Sequence, residues 1–183
     1  MASLVGVCGF TGAGKSTALD IIREQVGGRR IYLGHAIYST LDAKGLARTA
    51  ENERKIREDL RKADGAALAK LNAPAIDECL ASGEHALIDA VMSSAEFEFL
   101  VNHVSCPVYL LHVDATFEVR SARLQTRSER SMTSKEVELR DQLEREKLQI
   151  DRVFQSATDR ILNESSIEEF AKFLAVFLER VGV

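Results

Sequence analysis

One eight-residue segment has the composition and spacing of a phosphate-binding loop. Residues 9–16 are Gly-Phe-Thr-Gly-Ala-Gly-Lys-Ser, which is a glycine, four free positions and then Gly-Lys-Ser. The glycines let the backbone turn so that successive amide N–H groups point at an anion. Lys15 can reach the outer phosphates, and the Ser16 hydroxyl can bind Mg²⁺. The segment therefore predicts a site for a nucleoside triphosphate and magnesium, built from Gly12, Ala13, Gly14, Lys15, Ser16 and Thr17.

The residues on either side of this loop distinguish it from a chance match. Residues 3–8 are mostly apolar and predict a short buried strand, whereas residues 15–26 have the pattern of a helix. A strand before the loop and a helix after it are the context that phosphate loops have. The alternative, a glycine turn with an exposed lysine, does not account for that context. The helix would add its free first-turn N–H groups and the positive end of its dipole.

Further along the chain, strand-like and helix-like segments alternate. Four more strands are predicted at residues 30–33, 85–89, 107–114 and 160–163. Helices are predicted at residues 36–45, at 51–82 with a break near 64–65, after the capping box 93–96, at 116–127, at 134–156 and from about 166 to 180. This alternation predicts an α/β fold in which one domain, residues 1–183, has a five-stranded parallel sheet with helices on both faces.

Polar residues follow two of the predicted strands, where ligands of such sheets bind. Asp89 ends a strand predicted to lie beside the first one. Its carboxylate could bind Mg²⁺, directly or through water, or accept a proton from the attacking group; alternatively it bonds backbone amides of the next loop. Asn163 could present its amide or backbone groups to adenine, or it could be a turn residue before a helix.

Arginines are concentrated between residues 120 and 130. Arg120, Arg123 and Arg127 are three and four residues apart, so one helical face can present them together, and Arg130 follows in a polar segment. We expect this region to form a lid in which Arg123 and Arg127 neutralise the phosphate during its transfer. The alternative is a solvated basic helix face.

The phosphate acceptor is expected to bind near the helices that follow the second strand. His35 comes directly after that strand, where a neutral imidazole could act as a base, although it could equally be a surface residue. Arg57 and Arg61 are one helical turn apart. They could hold a phosphate of the acceptor, or they could pair with Glu53 and Asp64 on the surface.

Bulk properties exclude several classes of protein. The chain has 183 residues and a formal net charge of −4 at pH 7, so a nucleic-acid partner is not indicated. No stretch is long and apolar enough to span a bilayer, and no membrane partner is expected. The three cysteines lack paired spacing, which argues against a disulfide framework or a zinc site and favours a cytoplasmic location.

Together these motifs resemble those of the phosphate-loop nucleotide kinases of the adenylate kinase and dephospho-coenzyme A kinase group, particularly a branch of small archaeal and bacterial proteins. The resemblance covers nearly the whole chain. The similar segments are residues 9–16, Leu60-Arg61 before Asp64-Gly65, Arg123 to Arg127, Leu139-Arg140-Asp141, and Asp159 to Asn163 with the serines and glutamates that follow. The resemblance implies a three-layer fold with a five-stranded parallel sheet, a helical acceptor-binding insertion at about residues 36–82 and a short helical lid at about 120–140.

Two positions depart from the pattern of that family. Its members often have an aspartate after the second strand, where this chain has His35. That branch often continues the third-strand aspartate as Asp-Gly-x-Arg, where this chain has Asp89-Ala90-Val91-Met92. Both differences fall on the acceptor side, so they leave triphosphate binding intact and concern the acceptor.

The sequence thus predicts an ATP- and Mg²⁺-dependent kinase, a monomer or homodimer, that transfers the terminal phosphate of ATP to a small molecule. The resemblance favours a nucleoside monophosphate or a similar nucleotide-like acceptor. Two alternatives stay open, which are a dephospho-coenzyme A kinase-like activity and a non-catalytic ATP-binding or switch protein.

Overall fold

The computed structural model describes residues 1–128 and 130–183, and these contain a five-stranded sheet. The strands are β1 (Leu4–Cys8), β2 (Arg29–Tyr32), β3 (Ala86–Asp89), β4 (Val108–Asp114) and β5 (Asp159–Leu162). They are all parallel, in the order β2-β3-β1-β4-β5. Because β1 is central, the loop that follows it emerges in the middle of the carboxyl edge of the sheet, between the ends of β3 and β4.

Helices connect the strands and cover the sheet. They are α1 (Lys15–Val26), α2 (His35–Ala43), α3 (Ala50–Ala63), α4 (Ala67–Ala81), α5 (Ser94–His103), α6 (Phe117–Gln125), α7 (Ser134–Leu148), α8 (Ile150–Gln155) and α9 (Ile167–Val181). Both predicted capping boxes are present, so the N-terminus of α5 is capped by Ser93 and Glu96 and that of α7 by Thr133 and Glu136.

Two apolar clusters lie on opposite faces of the sheet, because side chains alternate along each strand. Leu4 and Cys8 of β1 join the cluster formed with α2, α3, α4, α5 and α8. Val5 and Val7 join the cluster formed with α1 and α9. Helices therefore cover both faces, and the predicted three-layer α/β fold is confirmed.

One predicted helix differs from the structure. The helix predicted at 134–156 is two helices, since Gln149 takes a left-handed conformation with φ of 50° between α7 and α8. Pro74 lies inside the continuous helix α4. The break near Asp64 is present and separates α3 from α4. In the described part of the chain no helix has the length and apolarity needed to cross a membrane.

Candidate active site

The loop between β1 and α1 has a conformation that only glycine accommodates at two positions. Gly9 and Gly14 have φ of 142° and 101°. A Cβ on Gly9 would lie 2.1 Å from the carbonyl oxygen of Val113, and one on Gly14 would lie 2.1 Å from Nδ2 of Asn163. Gly14 is also the N-cap of α1 and has no side chain to bond the first-turn amides. These amides are free to bind an anion.

Lys15 folds back over this loop. Its Nζ donates to the carbonyl oxygens of Gly9, at 2.7 Å, and Phe10, at 3.0 Å. Burial lowers the pKa of Lys15, and the negative charges of Glu144 and Asp89 act in the opposite direction. A phosphate arriving beside Lys15 would supply a counter-charge that favours the ammonium form. Ser16 and Thr17 follow on the first turn of α1.

Asp89 ends β3, which pairs with β1 as the sequence predicts. It is buried, and the guanidinium of Arg30 donates to its Oδ2 from Nε at 3.1 Å and from Nη2 at 2.5 Å. An arginine side chain on β2, rather than the backbone amides of the following loop, thus orients the carboxylate. Both bonds use Oδ2. The next residue, Ala90, has φ of 69°, in the region that favours glycine.

These residues fit a magnesium ion of the kind that is bound together with phosphates. Such an ion needs one or two protein oxygens, because substrate phosphates and water complete its shell. Ser16 supplies a hydroxyl, and Asp89 supplies a carboxylate with one oxygen outside the Arg30 contact. Among residues 1–128 and 130–183 no group of three or more His, Cys, Asp and Glu side chains could hold a metal by itself. The donor set therefore suits Mg²⁺ bound with a nucleotide rather than a metal held by protein alone.

A cavity of about 750 Å³ adjoins Lys15. Its walls come from the phosphate loop, the end of β2, the loop after β3, and helices α2, α3, α4 and α7. Cationic side chains outnumber the acids Glu58 and Glu144 in these walls: Lys15, Arg54, Arg57, Arg61, Lys62, Arg130, Arg140 and Lys147. The cavity is therefore suited to an anionic molecule.

Arg57 and Arg61 both line the cavity, but they differ in their partners. Arg61 donates to Glu96 at 3.1 Å, and the other oxygen of Glu96 accepts from the backbone N–H of Met92 and Ser93. Burial raises the pKa of the Glu96 carboxyl, which the charge of Arg61 opposes. Arg57 has no carboxylate within 4.0 Å among the described residues, and burial lowers its pKa. Arg61 is thus held in place, whereas Arg57 is available to a ligand.

Arg57 and Arg61 do not form the surface ion pairs with Glu53 and Asp64 that are the alternative to binding an acceptor. Glu53 lies 3.9 Å from Arg130, and Asp64 bonds Lys70 at 2.6 Å. His35, the other residue predicted to contact the acceptor, is exposed at the start of α2. Its Nδ1 is 3.5 Å from the hydroxyl of Ser39, and it does not belong to the cavity walls. The structure therefore brings Arg57 and Arg61 to the cavity but not His35.

The predicted arginine face is divided between the interior and the surface. Arg120 is buried and bonds Asp141 of α7, so the expectation that it acts with Arg123 and Arg127 in a lid is wrong. Arg123 donates to the carbonyl oxygen of Asn163 at 2.9 Å, and its buried Nη1 has no partner among the described residues. Arg127 is exposed just beyond α6. The side of α6 that packs against α7 is buried, and the spacing of the arginines alone does not show which of them lies on that side.

The last predicted site residue, Asn163, supports the phosphate loop. Its side-chain Nδ2 donates to the carbonyl oxygen of Ala13 at 2.8 Å, and the side chain is packed against Gly14. The amide is therefore engaged by the loop, and the backbone N–H of Asn163 donates to the carbonyl oxygen of Asp114 at 2.7 Å.

Sequence inspection missed three residues that shape the site. Arg30 orients Asp89, Glu96 orients Arg61, and Glu144 places a buried carboxylate near Lys15. For two of these residues, Glu96 and Glu144, the sequence contains a feature that predicts a hydrogen bond of the side chain. Glu96 completes a capping box, and Glu144 is four residues after Arg140, whose Nε donates to it at 3.0 Å.

Comparison with known proteins agrees with this architecture. A family model described as an AAA domain matches residues 5–149, which run from β1 through α7. Among solved structures, a sugar kinase from a Janibacter species superposes with a TM-score of 0.62 at 18% identity, covering 98% of this chain and 95% of that one. A shikimate kinase from Bacteroides thetaiotaomicron superposes with a TM-score of 0.61 at 15% identity, covering 97% and 98%. At these identities the likeness shows the fold, which is the phosphate-loop kinase fold.

Curated archaeal relatives cover the same length. A UPF0200 protein of Methanoculleus marisnigri is 31% identical over 183 residues, which are 98% of this chain and 97% of the relative. A UPF0200 protein of Methanothrix thermoacetophila is 28% identical over 184 residues, 97% of each chain. The resemblance to phosphate-loop kinases is thereby confirmed at the level of the family: the chain has an AAA domain over residues 5–149 and belongs to the UPF0200 family.

Proposed function

We propose that the protein is an ATP- and Mg²⁺-dependent kinase that phosphorylates a small anionic molecule of nucleotide-like size. The observation that carries this proposal is that Lys15, in the phosphate loop, borders a cavity whose charged wall residues are mostly cationic. A nucleoside monophosphate, or another nucleotide-like molecule, has the size and charge for it.

The donor side of the reaction is built from the phosphate loop. Backbone amides from Gly12 to Thr17 would surround the phosphates, and Lys15 would exchange its two carbonyl partners for phosphate oxygens. A magnesium ion would neutralise charge on the phosphates, with Ser16 and Asp89 as its protein contacts. The Arg30 contact would keep the Asp89 carboxylate in one orientation while the nucleotide binds.

The acceptor side is built from the helices. Arg57 would bind the anionic group of the acceptor, since it has no protein carboxylate of its own among the described residues and lines the cavity. Arg61 would contribute a second positive charge in an orientation fixed by Glu96. His35 would take part only if the start of α2 moved toward the cavity.

A lid over the cavity would exclude water from the reaction. Arg130 of the segment after α6 lines the cavity and lies 3.9 Å from Glu53 of α3. Arg123 and Arg127 would neutralise charge on the transferred phosphate from the same region. Closure would thus join the donor and acceptor sides.

The direct test is ADP release over a panel of anionic acceptors, with Lys15→Ala compared with wild type. We expect at least one acceptor to raise turnover more than tenfold over the acceptor-free rate, and Lys15→Ala to abolish that increase. Lys172→Ala, an exposed lysine of α9, is the matched control and should behave as wild type.

Two results would end the proposal. One is a folded protein to which neither ATP nor GTP binds with magnesium by calorimetry. The other is tight ATP binding without stimulation by any acceptor, which would instead indicate a nucleotide-binding protein without kinase activity.

A further inference from the structure

We propose that Glu144 receives the proton of the acceptor, so that the attacking group is a hydroxyl and not a phosphate oxygen. This inference rests on the proposed kinase function. The hydroxyl oxygen forms a bond to the terminal phosphorus of ATP, and the bond from that phosphorus to the bridging oxygen breaks with its electrons kept by ADP. The hydroxyl proton passes to the Glu144 carboxylate and from there to solvent.

Glu144 stands where such a proton would be released. It lies on α7, in the cavity wall that also contains Lys15 and Thr11 of the phosphate loop. Its side chain is only 9% exposed. Burial lowers the pKa of Lys15, and the negative charge of Glu144 acts in the opposite direction. Glu144 and Lys15 therefore line the same cavity.

The hydrogen bonds of Glu144 leave one oxygen without a donor. Oε1 accepts from Nε of Arg140 at 3.0 Å. Oε2 is buried and makes no hydrogen bond within the described part of the chain. An unpaired buried carboxylate oxygen is costly, so a donor from outside the protein, such as a ligand or a water molecule, is expected there. A hydroxyl of the acceptor would supply the missing donor.

The other acids near the cavity are already engaged. Glu58, the second acid in the described walls, is exposed and lies 3.5 Å from Nζ of Lys147. Asp89 accepts two bonds from Arg30 and is the proposed contact of the magnesium ion. Glu144 is thus the carboxylate of the described walls that is both buried and incompletely bonded.

A carboxylate in this place distinguishes between two kinds of attacking group. An alcohol must lose a proton when it attacks, and a nearby base assists that loss. A phosphate group has its second pKa near 6, so it is mostly dianionic at neutral pH and needs no base. Its negative charge would also be repelled by Glu144. The acceptor is therefore a small alcohol whose anionic part, a phosphate or a carboxylate, reaches Arg57.

The test identifies the new chemical bond and its dependence on Glu144. Wild-type protein is incubated with Mg²⁺-ATP and a panel of nucleoside monophosphates, sugar phosphates and hydroxy acids, and ³¹P NMR distinguishes a phosphate monoester from a phosphoanhydride. The kcat and KM values of Glu144→Gln, Glu144→Asp and the control Glu138→Gln are then measured with the best acceptor. Glu138 is an exposed acid on the same helix. ATP affinity by calorimetry and the melting temperature accompany each variant.

We expect a phosphate monoester as the product. Glu144→Gln should lower kcat by about 100-fold or more, the size of a lost general base, while ATP affinity stays within threefold. Glu144→Asp should recover part of the rate, and Glu138→Gln should match wild type. A phosphoanhydride product overturns the inference and leaves the kinase function standing, as does a Glu144→Gln rate within threefold of wild type. No product from any acceptor overturns the kinase function and the inference together.

Discussion

Arg120 of α6 and Asp141 of α7 form a two-point ion pair in the protein interior, with Nη1 3.0 Å from Oδ1 and Nη2 2.6 Å from Oδ2. The same guanidinium donates to the carbonyl oxygens of Thr11 and Ala115. It also lies over the ring of Phe10, with Cζ 5.0 Å from the ring centre. One side chain of α6 thus contacts both the phosphate loop and α7.

Breaking this pair should be strongly destabilising. Asp141→Asn removes the counter-charge of a buried guanidinium, and we expect the free energy of unfolding to fall by about 3–5 kcal/mol in denaturant titrations. Asp151→Asn is the control, because Asp151 lies 3.6 Å from Arg145 in a pair whose side chains are both more than half exposed. Equal losses in the two variants would contradict the assignment of Arg120 as a structural residue.

The contact of Gly14 with Asn163 predicts the effect of a single methyl group. Gly14→Ala combines an unfavourable φ of 101° with a Cβ 2.1 Å from Nδ2 of Asn163. We expect a loss of about 2–3 kcal/mol of stability and more than tenfold weaker ATP binding by calorimetry. Gly45 has a φ of 64°, and a Cβ there would meet no described heavy atom within 4 Å. Gly45→Ala therefore measures the cost of the backbone conformation alone, which should be about 1 kcal/mol. Similar costs at both sites would mean that the loop adapts to the added methyl group.

Ala90 should be replaceable by glycine with a gain in stability. Its φ of 69° is unfavourable for a residue with a Cβ, and glycine removes that strain. We expect a net gain of about 0.5–1 kcal/mol, because the greater freedom of glycine in the unfolded chain offsets part of the relieved strain. Ala36→Gly in the buried face of α2 should lose stability, by about 1 kcal/mol. Thermal unfolding measures the change in stability of both variants. A loss of stability in Ala90→Gly would argue against backbone strain at that position.

Acid should destabilise the protein through His112. The ring is buried and stacked on Phe154 at 4.0 Å, and burial lowers its pKa below the ordinary value of 6.5. The unfolded state therefore binds a proton first as the pH falls, and stability is lost between pH 6.5 and the lower folded-state pKa. His112→Phe keeps the stacking and should flatten the stability curve in this range. An unchanged slope in that variant would assign the effect to other groups.

Arg57 should control acceptor affinity without affecting nucleotide binding. A charge-assisted hydrogen bond contributes about 1.5–3 kcal/mol, so Arg57→Ala should raise the KM of the acceptor by about 10- to 100-fold. The affinity for ATP should stay within threefold. Lys55→Ala, an exposed cation on the same helix outside the cavity walls, is the control. If ATP affinity fell with Arg57→Ala, Arg57 would belong to the donor side.

The donor side of the site was the part most accessible from sequence, for a physical reason. Phosphate binding by a loop depends on glycines, a lysine and a hydroxyl at fixed neighbouring positions, so the signal is local. The alternation of strands and helices, together with the Ser93 and Thr133 caps, predicted the sheet and the helix starts. The left-handed Gln149 that divides α7 from α8 carries no glycine or proline signal, and that break was missed.

Tertiary pairing was not accessible in the same way. The burial of Arg120 depends on Asp141, 21 residues away on another helix. The fixed orientation of Arg61 depends on Glu96, whose capping role was visible but whose second partner was not. A charged residue at helical spacing is compatible with solvent, a ligand or a buried partner, and only the packing of helices decides among them.

On one side of Lys15 the cavity is lined by the phosphate loop, and on the other side it is lined by side chains of α3 and α7. The phosphate loop offers its amides whatever residues surround it, whereas the opposite wall depends on individual arginines and on Glu144. In the proposed kinase, substitutions in that wall would change the acceptor and leave the phosphate loop intact. Engineering of acceptor choice would then be confined to α3 and α7.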